Sequence, residues 1–61
     1  MKRRQLIQHL KQHRCYLVRE GGKHSWWGRT DTNDRTAVPR HTEINNQLAK
    51  KICKDLGIPN P

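Results

Sequence analysis

The segment CYLVREGGKHSWWGR, residues 15–29, decides the fold of this chain. Its first six residues, CYLVRE, are rich in the aromatic and β-branched types that favour strands. Gly21 and Gly22 follow, and glycine readily supplies the positive φ that a tight hairpin turn needs. The last six residues, HSWWGR, then predict a second strand that pairs antiparallel with the first.

A third strand is predicted after this hairpin. The segment TDTND, residues 30–34, is a cluster of turn formers whose side chains can bond their own backbone. The segment RTAVP, residues 35–39, follows as a short strand that Pro39 closes. The sequence therefore predicts a sheet of three antiparallel strands.

Helices are predicted on both sides of the three strands. A first amphipathic helix, from about Lys2 to Gln12, has its leucines and isoleucine on one side. A second helix has Asn45 or Asn46 as its N-cap and ends at Gly57. Its inner face comprises Leu48, Ala49, Ile52, Cys53 and Leu56. We expect an α+β fold of order αβββα in which both helices cover one sheet face and leave the other open to a ligand.

Size and charge limit the possible functions. The 61 residues are 31% hydrophobic, which suits one small domain spanning residues 1–61 and no deep internal active site. Thirteen Lys and Arg against five Asp and Glu give a net charge of +8, which favours polyanions, with nucleic acid ahead of a membrane surface. The N-terminal segment has no continuous apolar run, so we expect a cytoplasmic protein without a signal peptide or spanning helix.

Neither the cysteines nor the helical histidines form a pattern typical of a metal site. Cys15 and Cys53 lack the paired spacing of a zinc ribbon, and we interpret both as reduced core residues, with a bridge between them as the alternative. His9 and His13 have the i, i+4 spacing that can chelate zinc, but no further ligand accompanies them. Without a phosphate-binding loop or a carboxylate cluster, the sequence predicts no metal and no cofactor.

The two tryptophans are adjacent in the second strand. Trp26 and Trp27 therefore point to opposite faces of a regular sheet. We expect one ring to pack under the helices and the other to stand on the open face, where it can stack on a base. Contact with a protein partner is the equal alternative for the exposed ring. The sequence does not say which tryptophan takes which place.

His24 is the main candidate for chemistry. It begins the second strand directly after two glycines, which let another chain approach closely. An imidazole exchanges protons near neutral pH, and neighbouring cations favour its neutral, basic form. We therefore predict His24 as a general base, with a solvated bystander as the alternative, and His41 as a second proton-transfer candidate. The residues predicted to bind RNA are Arg19, Lys23, Trp26, Trp27, Arg29 and Arg40.

Three segments together resemble the HicA family of small bacterial toxins: LVREGGKHSWWGR (17–29), TAVPRH (36–41) and INNQLAKKICKDLGIP (44–59). In that family a Gly-Ser-His motif opens the second strand of a fold similar to the double-stranded RNA-binding domain, and its histidine is catalytic. Gly22, Lys23 and His24 occupy these positions here, with lysine in place of serine. The resemblance extends over nearly the whole chain.

The resemblance implies an mRNA interferase that cleaves RNA and arrests translation, and that a HicB antitoxin inactivates by covering its active face. In the expected metal-independent reaction, His24 takes the proton from a ribose 2′-hydroxyl, which attacks the adjacent phosphate. Nearby cations stabilise the transition state, and His41 protonates the leaving 5′ oxygen. A non-catalytic RNA-binding module and a purely protein-binding subunit are the alternatives.

Overall fold

The computed structural model describes residues 1–61 and has the predicted element order. Its elements are α1 (Arg3–Gln12), β1 (Cys15–Glu20), β2 (His24–Arg29), β3 (Arg35–Pro39) and α2 (Asn46–Leu56). The strands form one antiparallel sheet in the order β1-β2-β3, so β2 is the central strand. The predicted αβββα fold is confirmed, and the three strands have the predicted bounds.

The second helix begins and ends at the predicted residues. Asn45 is its N-cap, and the side chain of Asn45 accepts a hydrogen bond of 2.7 Å from the backbone N–H of Leu48. Gly57 ends the helix with a φ of 68°, the left-handed conformation that glycine adopts at low cost. Neither α1 nor α2 has the length and apolar content of a segment that crosses a membrane.

Both helices pack on the same face of the sheet and enclose one hydrophobic core. Cys15 and Cys53 belong to this core, as predicted; their thiols are free, and burial raises the pKa of both. The eleven buried residues of the core are Leu6, Leu10, Cys15, Trp27, Val38, Ile44, Ala49, Ile52, Cys53, Leu56 and Ile58.

The turn between β1 and β2 differs from the prediction. Neither Gly21 nor Gly22 has a positive φ, so the predicted reason for this glycine pair is wrong. What Gly21 provides is space, because a Cβ at this position would lie 3.0 Å from the carbonyl oxygen of His24 and 3.2 Å from Nε1 of Trp26. The backbone N–H of Gly21 donates to that carbonyl at 2.8 Å and closes the hairpin.

Candidate functional site

The sheet face opposite the helices, called the open face below, is built from cross-strand rows of residues. Side chains alternate between the two faces along each strand, and the strand register aligns the three strands. The rows on the open face are Tyr16 with Gly28 and Arg35, then Arg19 with Trp26 and Ala37, then His24 with Pro39.

His24 lies at one end of the open face and is exposed. Its ring makes no hydrogen bond within the protein, whereas its backbone is fixed by the bond from Gly21 and by pairing with Pro39. Lys23 precedes it, is exposed, and has no ion-pair partner. An external chain can therefore reach an imidazole on a rigid strand, with an ammonium group on the adjacent residue.

The two tryptophans divide as predicted, one inward and one outward. Trp26 is 37% exposed on the open face, two residues from His24 on the same side of β2. Trp27 is 5% exposed and packs in the core beneath the helices. The inclusion of Trp27 among the RNA-binding residues is therefore wrong, because its ring has no free face.

The open face also carries an aromatic residue, Tyr16, and a cationic residue, Arg35, that the sequence analysis does not identify as part of the site. The guanidinium carbon of Arg35 lies 5.9 Å from the centroid of the Tyr16 ring, a distance typical of a cation–π contact. Gly28 lies between these residues in the register and has no side chain, which leaves room for the contact. A Cβ on Gly28 would come within 2.9 Å of both Arg35 and Val18. The contact between Tyr16 and Arg35 follows from the strand register, which the sequence analysis does not predict.

Arg29 is not close to His24, although the sequence-based prediction groups them. Its side chain lies on the helix side of the sheet, where Nη1 donates to the carbonyl oxygens of Leu56 at 3.2 Å and Gly57 at 2.8 Å. Its Nε donates to the carboxylate of Asp31 at 2.7 Å and thereby lowers the pKa of Asp31. A cation at the C-terminus of α2 stabilises that helix. Arg29 therefore has a structural role that leaves no free guanidinium for an external ligand.

Arg40 lies at the same end of the sheet as His24 and holds the β1–β2 turn. Its Nη2 donates to the carbonyl oxygen of Gly21 at 2.6 Å and to the carboxylate of Glu20 at 3.2 Å, while its Nη1 donates to the carbonyl of Gly22 at 3.4 Å. His41 follows in an exposed loop, two residues after the register partner of His24. Arg40 thus fixes the turn that precedes His24.

A polar network supports His24 from the helix side. Ser25, which is buried, accepts a hydrogen bond of 3.1 Å from Nη2 of Arg3 and donates a short one to the carboxylate of Glu20. Nε of Arg3 also donates to the carbonyl oxygen of Pro39 at 2.8 Å. The Ser25 and Arg40 bonds lower the pKa of Glu20. The first residues of β2 are therefore anchored to α1 and to the turn.

The histidines and lysines outside the open face have other contacts. The rings of His9 and His13 lie 4.3 Å apart, and each is hydrogen-bonded to a backbone carbonyl. No group of three or more His, Cys, Asp or Glu side chains is arranged to hold a metal ion. On the outer side of α2, Lys51 pairs with Asp55 at 2.8 Å, and its neighbours Lys50 and Lys54 are exposed.

These features define a class: a small basic α+β protein whose sheet has one packed face and one face with an exposed histidine, an indole and cations. A family model described as the HicA toxin of bacterial toxin-antitoxin systems matches residues 3–58, which include both helices and all three strands. The chain therefore belongs to the HicA toxin family. Comparisons with curated proteins and with solved structures gave no significant match.

Proposed function

We propose that this toxin is a metal-independent endoribonuclease that cleaves mRNA, with His24 as its general base. Its family makes it the toxin of a toxin-antitoxin system, and an antitoxin is the implied partner. The observation that carries the nuclease proposal is the ring of His24, which is exposed, free of internal hydrogen bonds and followed on the same face by Trp26. A ring with these properties is free to contact an RNA strand that lies across the open face.

In the proposed reaction, His24 removes the proton of a ribose 2′-hydroxyl. The 2′ oxygen forms a bond to the adjacent phosphorus, and the bond from phosphorus to the 5′ oxygen breaks, giving a 2′,3′-cyclic phosphate and a 5′-hydroxyl end. His41 donates the proton that the 5′ oxygen takes up. The ammonium of Lys23 and the guanidinium of Arg19 stabilise the additional negative charge on the phosphate oxygens. General acid–base catalysis of this kind contributes about 10²–10⁴-fold.

The open face also suits a single-stranded RNA. The exposed ring of Trp26 offers a surface on which one base stacks, and Tyr16 with Arg35 offers a second such surface. The net charge of +8 adds a sequence-independent attraction that weakens with salt. An mRNA substrate places the action of the toxin in the cytoplasm.

The decisive experiment incubates the purified protein with RNA in the presence of a chelator. We expect fragments with 2′,3′-cyclic phosphate ends from the wild type and none from His24→Gln, which should bind RNA with nearly unchanged affinity. His13→Gln is the matched control, because it removes an imidazole far from the open face and should cleave like the wild type. Cleavage by His24→Gln would contradict the proposed base. A wild-type protein that shifts RNA without cutting it would instead be a non-catalytic RNA-binding module.

We further propose that a HicB-type antitoxin covers the open face and blocks His24. On this face Tyr16 and Val18 of the edge strand β1 are exposed, as is Trp26 of the neighbouring strand. An exposed apolar group of this kind is typical of a surface that binds another protein. In the cleavage assay, added antitoxin should stop the reaction and shield Trp26 from acrylamide quenching. Continued cleavage by the saturated complex would contradict this placement.

A further inference from the structure

A basic hollow opens at the end of the sheet where β1 and β3 end and β2 begins. It has a volume of about 500 Å³, and no apolar residue lines it. Four of its five lining residues are cations, supplied by the start of α1 and by the segment after β3. The lining residues are Lys2, Arg3, Arg4, Arg40 and Thr42. The charged ends of these side chains suit an anion.

The positive charge of the hollow is only partly neutralised within the protein. Lys2 pairs with Glu43, and Arg40 pairs with Glu20. Arg3 bonds only neutral acceptors, and Arg4 has neither an ion pair nor a hydrogen bond from its side chain. Four cations and two carboxylate partners leave an excess of two positive charges at the hollow.

The position of these cations is unfavourable for α1 itself. The N-terminal end of a helix has a partial positive charge and is stabilised by acidic residues. The first turn of α1 contains no acidic residue, and Arg3 and Arg4 lie there instead. A bound anion would remove this repulsion, so the hollow has an electrostatic reason to take one.

Two of the residues that line the hollow, Arg40 and Arg3, form hydrogen bonds to neighbours of His24 in the sequence. Arg40 contacts the carbonyl oxygens of Gly21 and Gly22, and Arg3 contacts the side chain of Ser25. His24 lies between these contacted residues in the sequence, and its own side chain is on the open face. A chain that crosses the open face at His24 can therefore continue around the end of the sheet, past Lys23, to the hollow.

We propose that the hollow holds a phosphate group of the RNA strand, flanking the phosphodiester that is cleaved at His24. This inference rests on the proposed RNA-binding function of the open face and names a second contact for the same substrate. Guanidinium groups match the geometry of phosphate oxygens, and Arg4 has its guanidinium free.

The test measures binding of a labelled single-stranded RNA by fluorescence anisotropy, in a His24→Gln background so that the RNA stays intact. Arg4→Gln removes a cation that has no internal contact and that is unfavourable at the N-terminal end of α1, so it should not lower the melting temperature. Lys11→Gln is the matched control: it removes one exposed cation from the same helix, outside the hollow. Arg4→Gln should weaken binding and lower the slope of log K against log salt by about 0.7, the value for one phosphate contact with a single strand.

The outcomes separate this inference from the nuclease proposal. If Arg4→Gln and Lys11→Gln reduce the RNA affinity and the salt slope equally, the hollow is not a phosphate site. The nuclease proposal would still stand, because it depends on cleavage by the wild type. If the wild type does not cleave RNA but its RNA binding depends on Arg4, the hollow remains a phosphate site and the nuclease proposal fails. Polyglutamate, an acidic polypeptide, is added as a competitor of the labelled RNA in the same anisotropy measurement. If polyglutamate bound more tightly than RNA with the same dependence on Arg4, the hollow would belong to an acidic polypeptide, which overturns the inference.

Discussion

The two faces of the sheet place neighbouring residues of one strand in opposite environments. On the helix face, Ser25 and Trp27 are buried, and Ser25 is bonded on both sides. On the open face, His24 and Trp26 are exposed, and the His24 ring is unbonded. Each pair contains one polar residue and one tryptophan, so residue type does not separate the faces. The two faces differ because the helices cover only one of them. A register shift of one residue would therefore bury His24 and Trp26 and expose Ser25 and Trp27.

The largest expected difference between the faces concerns the free energy of unfolding of the tryptophan variants. Trp27→Ala should cost about 3–5 kcal/mol, as large-to-small changes in a core do. For a domain of 61 residues this approaches the whole stability, which is about 0.05–0.15 kcal/mol per residue. Urea unfolding followed by circular dichroism measures the loss. Trp27→Phe keeps most of the volume and removes a buried Nε1 group that has no hydrogen-bond partner, so it should remain folded.

Trp26→Ala is the counterpart on the open face. It should remain folded under conditions in which Trp27→Ala does not, because the Trp26 ring is partly exposed. Its effect should appear in RNA affinity, where loss of one stacked base costs about 1–3 kcal/mol. Anisotropy with the uncleaved RNA measures this. If both alanine variants lost the same free energy of unfolding and Trp26→Ala bound RNA normally, the assignment of stability to the helix face and of RNA binding to the open face would be wrong.

The contrast between the tryptophans also shows how far the sequence could predict the site. The strand bounds follow from strand-forming residues interrupted by glycines and turn formers, and the structure confirms them. The alternation of side chains predicts that one tryptophan is buried, but both alternate sets in β2 mix polar and apolar residues. The choice depends on tertiary packing: Val38, which is fully buried, pairs with Ser25 and places that set beneath the helices.

The cations were less predictable than the strands, because their partners are distant in the sequence. A count of charges gives the excess but not the contacts that occupy each guanidinium. Arg29 donates to carbonyls 27 and 28 residues away, and Arg40 to carbonyls 18 and 19 residues away. Lys23, which neither contact involves, is exposed beside His24. Only the folded arrangement distinguishes a structural arginine from one that is free to bind.

Ser25→Ala should have a smaller effect and tests whether the helix face positions His24. The change leaves Nη2 of Arg3 and the Glu20 carboxylate without their shared hydroxyl. Because the Glu20 carboxylate is exposed and can bond water instead, the free energy of unfolding should fall by less than it does in Trp27→Ala. Thermal unfolding measures that loss. Since the His24 ring lies on the other face, RNA affinity should stay the same while the cleavage rate falls. A variant with reduced stability but normal cleavage would show that this network supports the fold alone.

The smallest expected effect is the pH dependence that Glu20 gives to stability. The hydroxyl of Ser25 and then the guanidinium of Arg40 lower the pKa of Glu20 below its ordinary value of 4.5. A carboxyl whose pKa is lowered by folding stabilises the protein above that ordinary value, and the contribution is lost as the pH falls through the lowered pKa. The melting temperature should therefore fall as the pH drops below about 4.5, and less steeply in Glu20→Gln.

Asp31, Glu43 and Asp55 also have lowered pKa values, through Arg29, Lys2 and Lys51 respectively, so part of the acid sensitivity should remain in Glu20→Gln. Equal acid slopes for the wild type and this variant would mean that Glu20 contributes nothing. At neutral pH the variant should still cleave RNA, because Arg40 keeps its bonds to the carbonyls of Gly21 and Gly22. The turn before His24 is thus held by neutral acceptors, whose bonds to Arg40 do not depend on the charge of Glu20.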